Sequence, residues 1–233
     1  ITPAAIAVDP YTQELYLLHA ATGTTITVSV WKLGSLAAPD RTLTITGGGI
    51  SSDTWTTLAA WNGYLYIGGS GTAGKIIVAG TKGTSTPYVT ALTMSSTIAG
   101  DKYMTVSPEG YLFVSTGTSA RTVDQWNCWT NTLVRTLDSG AKVAADHTGL
   151  MFDYKNREIS IAVWASNVIS WIRFHGDTGA WVQTKQKSDT DKAGRGVGAL
   201  IADREYHGYS TTQLIWTTLK THAGYNGLAF GTS

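Results

Sequence analysis

Charge is scarce in this chain. Asp, Glu, Lys and Arg make up 14% of its 233 residues, where an average soluble protein carries roughly 25%. The 17 basic and 16 acidic side chains nearly cancel, to a net charge of +1, and form no long run of either sign. Nucleic-acid binding rests on a basic patch that displaces counterions from phosphate, so this composition argues against that partner class. A polybasic membrane anchor is missing on the same ground. Cysteine is nearly absent as well. The single Cys128 excludes an intrachain disulfide and any multi-cysteine metal site. Its strand-like setting between Asn127 and Trp129 reads as a small buried apolar side chain. No run of about 18 apolar residues exists, so no membrane insertion is expected. Nor does a 3.6-residue apolar period persist beyond two turns, because Gly or β-branched residues interrupt every window.

What the chain does have is Gly (26 residues), many hydroxyl side chains, and 9 Trp, 11 Tyr and 4 Phe to bury. One short strand motif recurs along it. The copies are Ile6-Ala7-Val8-Asp9, Thr57-Leu58-Ala59-Ala60, Met104-Thr105-Val106-Ser107, Leu150-Met151-Phe152-Asp153 and Ala199-Leu200-Ile201-Ala202. Counted between their last residues, the steps are about 51, 47, 46 and 49 residues. A period of about 40 to 50 residues carrying four strands is the mark of a β-propeller blade. The expectation is therefore an all-β, five-bladed β-propeller in one domain, with about four antiparallel strands per blade. The blades fall near 4–54, 55–101, 102–147, 148–196 and 197–233.

Within a repeat the strands can be lettered A to D. In the first, Ala5–Asp9 is A, Glu14–His19 is B, Ile26–Leu33 is C and Arg41–Ile45 is D. Asn62-Gly63 predicts a tight hairpin turn in the second repeat, since both residues accept positive φ. Its B, C and D strands are Tyr64–Ile67, Lys75–Ala79 and Tyr88–Leu92. The third repeat has Tyr111–Ser115, Arg121–Trp129 and Leu133–Leu137; the fourth has Glu158–Val163, Val168–Phe174 and Trp181–Lys185. The fifth departs from the pattern. Tyr206–Tyr209 reads as B and Leu214–Leu219 as C, with only Thr221–Ser233 left for D. Closure of the ring by pairing of the termini is expected, through Gly227–Gly231 or the segment before Pro3, because two open sheet edges would otherwise invite other chains.

Ile6-Ala7-Val8-Asp9-Pro10 followed by Glu14-Leu15-Tyr16-Leu17 resembles the strand–turn–strand core of NHL-class propeller repeats. Trp31, Trp126, Trp171 and Trp216 fall in or beside strand C, where WD-type repeats keep a tryptophan. The likeness lies in the blade pattern: the Asn-Arg-Ile segment of NHL repeats and the Trp-Asp pair of WD repeats are both missing. It implies a fold and leaves activity open. Five blades would also resemble the small propellers found among lectins and glycosidases.

Motifs with chemistry in them are weak here. Gly69-Ser70-Gly71-Thr72-Ala73-Gly74-Lys75 matches a dinucleotide fingerprint, but Lys75–Val78 continues as a strand where a helix N-terminus is needed. Asp189-Thr190-Asp191-Lys192-Ala193-Gly194 begins like a calcium loop and lacks a ligand at Ala193 and a glutamate at the twelfth position. His19, His147, His175, His207 and His222 show no metal-ligand spacing. Asp9, Asp153 and Asp203 stand at equivalent positions, as a glycosidase set would, yet each ends strand A where Asp commonly caps a turn. No catalytic residue, metal or cofactor is assigned, and the chain is expected not to be an enzyme.

Five of the tryptophans lie outside the strand-C positions. An exposed indole beside amide groups suits a sugar ring, whose apolar face stacks while its hydroxyls are fixed by polar neighbours. Trp61 with Asn62, Trp129 with Asn131, and Trp181 are the candidate ligand-binding residues. The expected function is a multivalent carbohydrate-binding module, located extracellularly or on a virion surface, with a glycan or glycoprotein as partner. A chain opening at Ile1 fits a processed secreted protein or a fragment. A self-assembling virion or filament subunit is the alternative, and a glycoside hydrolase the third.

Overall fold

A computed structural model of the chain describes residues 2–20, 22–47, 50, 53–70, 75–81, 88–94, 102–116, 121–142, 146–153, 155–165, 168–188, 195–202, 214–221 and 226–232. Their regular structure is all β. The first sheet is formed by β1 (Pro3–Asp9) and β2 (Glu14–His19), then β4 (Ile26–Lys32) and β5 (Arg41–Ile45), antiparallel and in that order. The short β3 (Thr22–Gly23) crosses to pair with the next sheet. That sheet contains β6 (Asp53–Trp61), β7 (Tyr64–Gly69), β8 (Lys75–Gly80) and β9 (Tyr88–Thr93). The third has β10 (Lys102–Val106), β11 (Tyr111–Thr116), β12 (Thr122–Asn127) and β13 (Thr132–Asp138). The fourth has β14 (Asp146–Asp153), β15 (Glu158–Ala165), β16 (Val168–His175) and β17 (Trp181–Ser188). The last comprises β18 (Arg195–Ala202), β19 (Leu214–Thr221) and β20 (Asn226–Thr232).

Alternation explains why the sheets stack. Successive side chains of a strand point to opposite faces, and the middle sheets are apolar on both. Sheet two sends Leu58, Ala60, Leu65, Ile67, Ile77 and Ala79 into a core shared with Tyr16, Leu18, Val28, Val30 and Leu43 of sheet one. Its other face, Ala59, Trp61, Tyr66, Ile76 and Val78, packs on Leu112, Val114, Trp126 and Cys128 of sheet three. Phe113 and Val123 then face Phe152, Ile159, Ile161 and Ile172 of sheet four. The first strands β1, β6, β10, β14 and β18 neighbour one another in chain order. Four of the five carry a register irregularity near their starts, at Pro3/Ala5, Trp55/Thr57, His147/Gly149 and Val197/Ala199. Such bulges bend a strand and increase its twist.

Two expectations change at the ends of the row. Leu214–Leu219 lies in β19, which pairs directly with β18 and is therefore the second strand of its sheet. The segment Tyr206–Tyr209, read as that strand, lies outside the described residues. Gly227–Gly231 belongs to β20, third in its own sheet. Pro3 already belongs to β1, and among the described residues no strand from one end of the chain pairs with the other. Among the described residues, the outer face of sheet one has no sheet packed on it. Ile6 pairs with Leu17 and Val8 with Leu15, all four pointing away from the shared core; Ile6 is 61% and Val8 48% exposed.

Candidate functional site

The turns between the first and second strands of sheets one to four come together at one end of the inner strands. Asp9 holds the first turn: Oδ1 accepts from the Tyr11 amide at 2.9 Å, and Oδ2 reaches across to accept from the Gly63 amide at 2.6 Å. The second turn is Asn62-Gly63, with φ of 48° and 80°, the mirror-image hairpin turn that this dipeptide favours. In the third, the Ser107 hydroxyl accepts from the Tyr111 amide at 3.2 Å. In the fourth, Asp153 accepts from the Lys155 and Asn156 amides at 2.9 and 3.1 Å and from Asn156 Nδ2 at 2.8 Å. Asp9 and Asp153 are thus occupied by turn amides, as short carboxylates at such corners commonly are.

Three aromatic side chains cross these turns in a row. Tyr11 meets Trp61 edge to face at 6.1 Å, and Trp61 meets Trp129 at 4.7 Å with ring planes 86° apart. The Tyr11 hydroxyl donates to the Pro108 carbonyl at 2.6 Å, Trp61 Nε1 donates to the same oxygen at 3.4 Å, and Trp129 Nε1 donates to the Glu109 carbonyl at 3.4 Å. Gly110 closes the third turn with φ of +86°, and a Cβ there would stand 2.5 Å from the Trp61 ring. Glycine is therefore required twice over, for its backbone angle and for the indole it lies against. The central Trp61 is 3% exposed, while Tyr11 and Trp129 are 54% and 68% exposed. Two aromatic surfaces are presented to solvent from a rigid base.

Beside them opens a cleft of about 230 Å³, lined by Ala60, Trp61, Met104, Val106 and Pro108 among others, with no charged side chain in its wall. Charge is confined to its flank. Arg157 grips Asp177 through Nε at 2.7 Å and Nη2 at 2.6 Å, and its Nη1 pairs with Glu109. Hydrogen bonding to Arg157 holds the Asp177 carboxyl below the ordinary range. Burial alone would raise Glu109, but hydrogen bonds from the backbone and from Arg157 outweigh it and hold it low as well. The cluster ties the third and fourth turns together.

The five candidate ligand residues are divided by the fold. Trp61 is buried, its ring covered by Trp129, Tyr11 and Gly110. Asn62 and Asn131 serve their turns through left-handed backbone angles, 48° and 55°. Trp129 and Trp181 are both exposed, at 68% and 49%, and only Trp129 belongs to the row of rings. Trp181 lies elsewhere, on β17, with Lys142 Nζ 4.7 Å from its ring centroid and Nε1 donating to Thr184 at 3.3 Å. Tyr11, Pro108, Glu109, Arg157 and Asp177 were not singled out from sequence. The available signal was positional, since Tyr11 and Glu109 occupy the equivalent turn in their repeats.

Two further groups invite chemical readings. His147 is buried, with its ring nitrogens on Ser115 Oγ and, at 2.6 Å, Ser139 Oγ. Ser139 donates to the Arg121 carbonyl, so it accepts from Nε2–H, and Nδ1 accepts from Ser115. Both serines are fully buried, which makes this a structural cross-link and gives neither hydroxyl a path to a substrate. Burial pushes the Cys128 thiol up to about 12 against the pull of Tyr66, a state unsuited to nucleophilic attack. Among the described residues no cluster of three or more His, Cys, Asp or Glu could hold a metal.

No known family profile and no curated protein matches the chain. Solved structures do. Sqt1 of Saccharomyces cerevisiae aligns with a TM-score of 0.60 at 15% identity, covering 89% of this chain. A chain of the Mitotic Checkpoint Complex aligns at 0.62 and 15% over 97%. Raptor of Chaetomium thermophilum aligns at 0.63 and 14% over 100%. The chain spans only 52%, 62% and 21% of those three proteins. At such identities the likeness shows fold alone, and that fold is the propeller-repeat class of four-stranded antiparallel sheets. The carbohydrate-binding expectation is corrected here. These three similar structures are propellers of the WD class and not lectins, and the Trp61–Asn62 pair meant to stack a sugar is a buried ring and a turn residue. A glycan or glycoprotein partner and the virion or filament alternative fall with it.

Proposed function

We propose that this chain is a non-enzymatic protein-docking propeller whose Tyr11–Trp61–Trp129 face receives a largely uncharged segment of a partner protein. One observation carries this: two well-exposed aromatic side chains are fixed by carbonyl hydrogen bonds beside an uncharged cleft. Rigid Tyr and Trp anchors lose little entropy on binding and dominate most protein interfaces. The occupation of Asp9 and Asp153 by turn amides supports a non-catalytic role. The name of one similar structure, a chain of a checkpoint complex, fits a docking module. Selection of a displayed random-peptide library on the whole chain tests this. Selected peptides should bind at least tenfold more weakly to Tyr11→Ala and to Trp129→Ala and unchanged to Trp181→Ala. Equal binding to all three variants would end the proposal.

The same proposal includes a five-bladed ring in which the last sheet covers the free face of the first. Sheets two and three are apolar and covered on both faces, and the Ile6, Val8, Leu15, Leu17 face is the matching unfilled half of such a contact. An aspartate at a solvent-facing position changes stability by less than about 0.5 kcal/mol, whereas one buried between sheets costs several times more. Val8→Asp should therefore lower the denaturation midpoint clearly. A midpoint within error of the parent would show an open face and no ring.

A further inference from the structure

We infer that Arg157 is a positioning residue of the aromatic face: by clamping Glu109 it fixes the turn that bears Tyr11, Trp61 and Trp129. This role rests on the docking function proposed for that face and names the side chain that keeps the face in shape.

Two successive carbonyls of the third turn carry all three rings. Pro108 O accepts from the Tyr11 hydroxyl and from Trp61 Nε1, and Glu109 O accepts from Trp129 Nε1. A shift of that turn would therefore move the whole row. Backbone bonds hold its ends, with the Gly110 amide on Ser107 O at 3.1 Å and the Cys128 amide on Gly110 O at 2.8 Å. Between those ends, Arg157 of the fourth turn holds it through Glu109. Arg157 Nη1 pairs with Glu109 Oε1, while Nε and Nη2 donate to Asp177 at 2.7 and 2.6 Å. The two-pronged pair with Asp177 aims the guanidinium and leaves Nη1 for Glu109. The Glu109 carboxylate also accepts from its own amide and from Ser107, so a grip on that carboxylate is a grip on the turn itself.

The backbone of Arg157 is the second observation. It stands immediately before the second strand of its sheet, with φ of 56°. Gly63 and Gly110 hold the same place in sheets two and three, with φ of 80° and 86°. In sheet one the place belongs to Gln13, whose side chain likewise bonds a turn carbonyl, Pro10 O at 2.5 Å. A left-handed angle suits glycine and is costly for arginine, because Cβ crowds the following carbonyl. Added fold stability does not explain the choice. The Arg157, Glu109 and Asp177 side chains are 43%, 35% and 39% exposed, and ion pairs so open to water contribute little. What arginine does here, and glycine could not, is reach across to the turn that bears Trp129.

The test compares Arg157→Gly, Glu109→Ala and the double variant with the parent, each as the whole chain. The first readout needs no ligand: nuclear magnetic relaxation of the indole N–H groups, with Trp129 identified by Trp129→Phe. The Trp129 order parameter, about 0.85 for a rigid group, should fall to about 0.6 or lower in each variant, while that of Trp181 stays as in the parent. Peptides selected on the parent should bind Arg157→Gly and Glu109→Ala at least fivefold more weakly. The double variant should bind no more weakly than either single one, since both act through one contact. The denaturation midpoint of Arg157→Gly should equal or exceed the parent's, because glycine suits the angle. An unchanged Trp129 order parameter in Arg157→Gly would overturn the inference whatever the peptides do. Additive losses in the double variant would overturn it too, as would a midpoint clearly below the parent's, which would make the clamp a support of the fold. If no peptide is selected while the Trp129 indole loosens, the docking function fails and the positioning of the ring by Arg157 stands.

Discussion

Phe113→Ala is expected to lower the unfolding free energy by about 3 to 5 kcal/mol, the range for an aromatic ring removed from a core that cannot collapse. Phe113 is fully buried and stacks on Phe152 with ring centroids 5.9 Å apart and planes 19° apart. That pair joins sheet three to sheet four. Its neighbours in the chain, Leu112 and Val114, point the other way, into the core shared with sheet two. The far side of Phe152 is tight as well, for a Cβ added at Gly176 would lie 2.7 Å from its ring. Neither backbone can move in to fill the hole, so the loss includes the cavity and not only the transfer of the side chain. Urea denaturation followed by intrinsic fluorescence measures it. A loss under about 1.5 kcal/mol, the cost of a conservative core change, would mean that these two sheets are not packed face to face.

That face-to-face stacking is also the part of the fold most legible in the sequence. Glu14–His19 and Arg41–Ile45 are legible to the residue, because each is a short β-prone run too brief for a helix and the flanking turn residues fix its ends. Asn62-Gly63 was read as a mirror-image turn from its two residue types alone. Asp9 and Asp153 were read as turn caps and bond as such. In the third repeat the C strand was drawn through to Trp129, whereas β12 stops at Asn127, whose side chain caps the following turn by accepting from the Trp129 amide at 2.8 Å. Local polarity did not reveal that cap. Leu214–Leu219 was given the third place in its sheet because strand order was counted along the chain, and only pairing decides order.

The site was less legible, for a reason that distance in sequence makes plain. Whether an indole is a platform or a core side chain depends on what covers it. Trp61 is covered by Gly110 and Trp129, 49 and 68 positions away, and by Tyr11 from the preceding sheet. In the sequence Trp61 and Trp129 look alike, yet one is 3% and the other 68% exposed. Tyr11 carries no signal in the sequence, since a tyrosine after Pro10 in a polar turn is locally ordinary. It gains a role only when its hydroxyl finds the Pro108 carbonyl, 97 residues on.

Arg41→Met should have the second large effect, and its pH dependence is what distinguishes it from a simple loss of packing. Arg41 Nη1 lies 2.6 Å from Glu14 Oε1, with both side chains mostly buried, and Nη2 donates to the Thr81 carbonyl at 3.3 Å. The Tyr16 hydroxyl donates to Glu14 Oε2 at 2.5 Å and lies 3.1 Å from Thr81 Oγ1. The group links sheet one to the outer part of sheet two. Burial by itself would raise the Glu14 pKa, but hydrogen bonds from Arg41 and Tyr16 together with the Arg41 charge outweigh it, and the folded value lies below the ordinary 4.5. A depressed carboxyl stabilises the fold above its unfolded pKa and loses that contribution as pH falls through the folded one. At pH 7 the methionine variant leaves a buried carboxylate short of its cation, at a cost of about 2 to 4 kcal/mol. Without Arg41, burial dominates and Glu14 takes up a proton more readily. The stability gap between parent and variant should therefore narrow as pH drops from 7 toward 3, because protonation removes the charge that the variant cannot neutralise. On the alkaline side, burial and the Glu14 hydrogen bond raise Tyr16 to about 12, so its contribution to the parent declines only as pH passes from 10 to 12. Denaturant titrations of parent, Arg41→Met and Glu14→Gln/Arg41→Met across this range check both arms. A gap independent of pH, or a double variant no more stable than the single one at pH 7, would show that Arg41 acts through packing and not through Glu14.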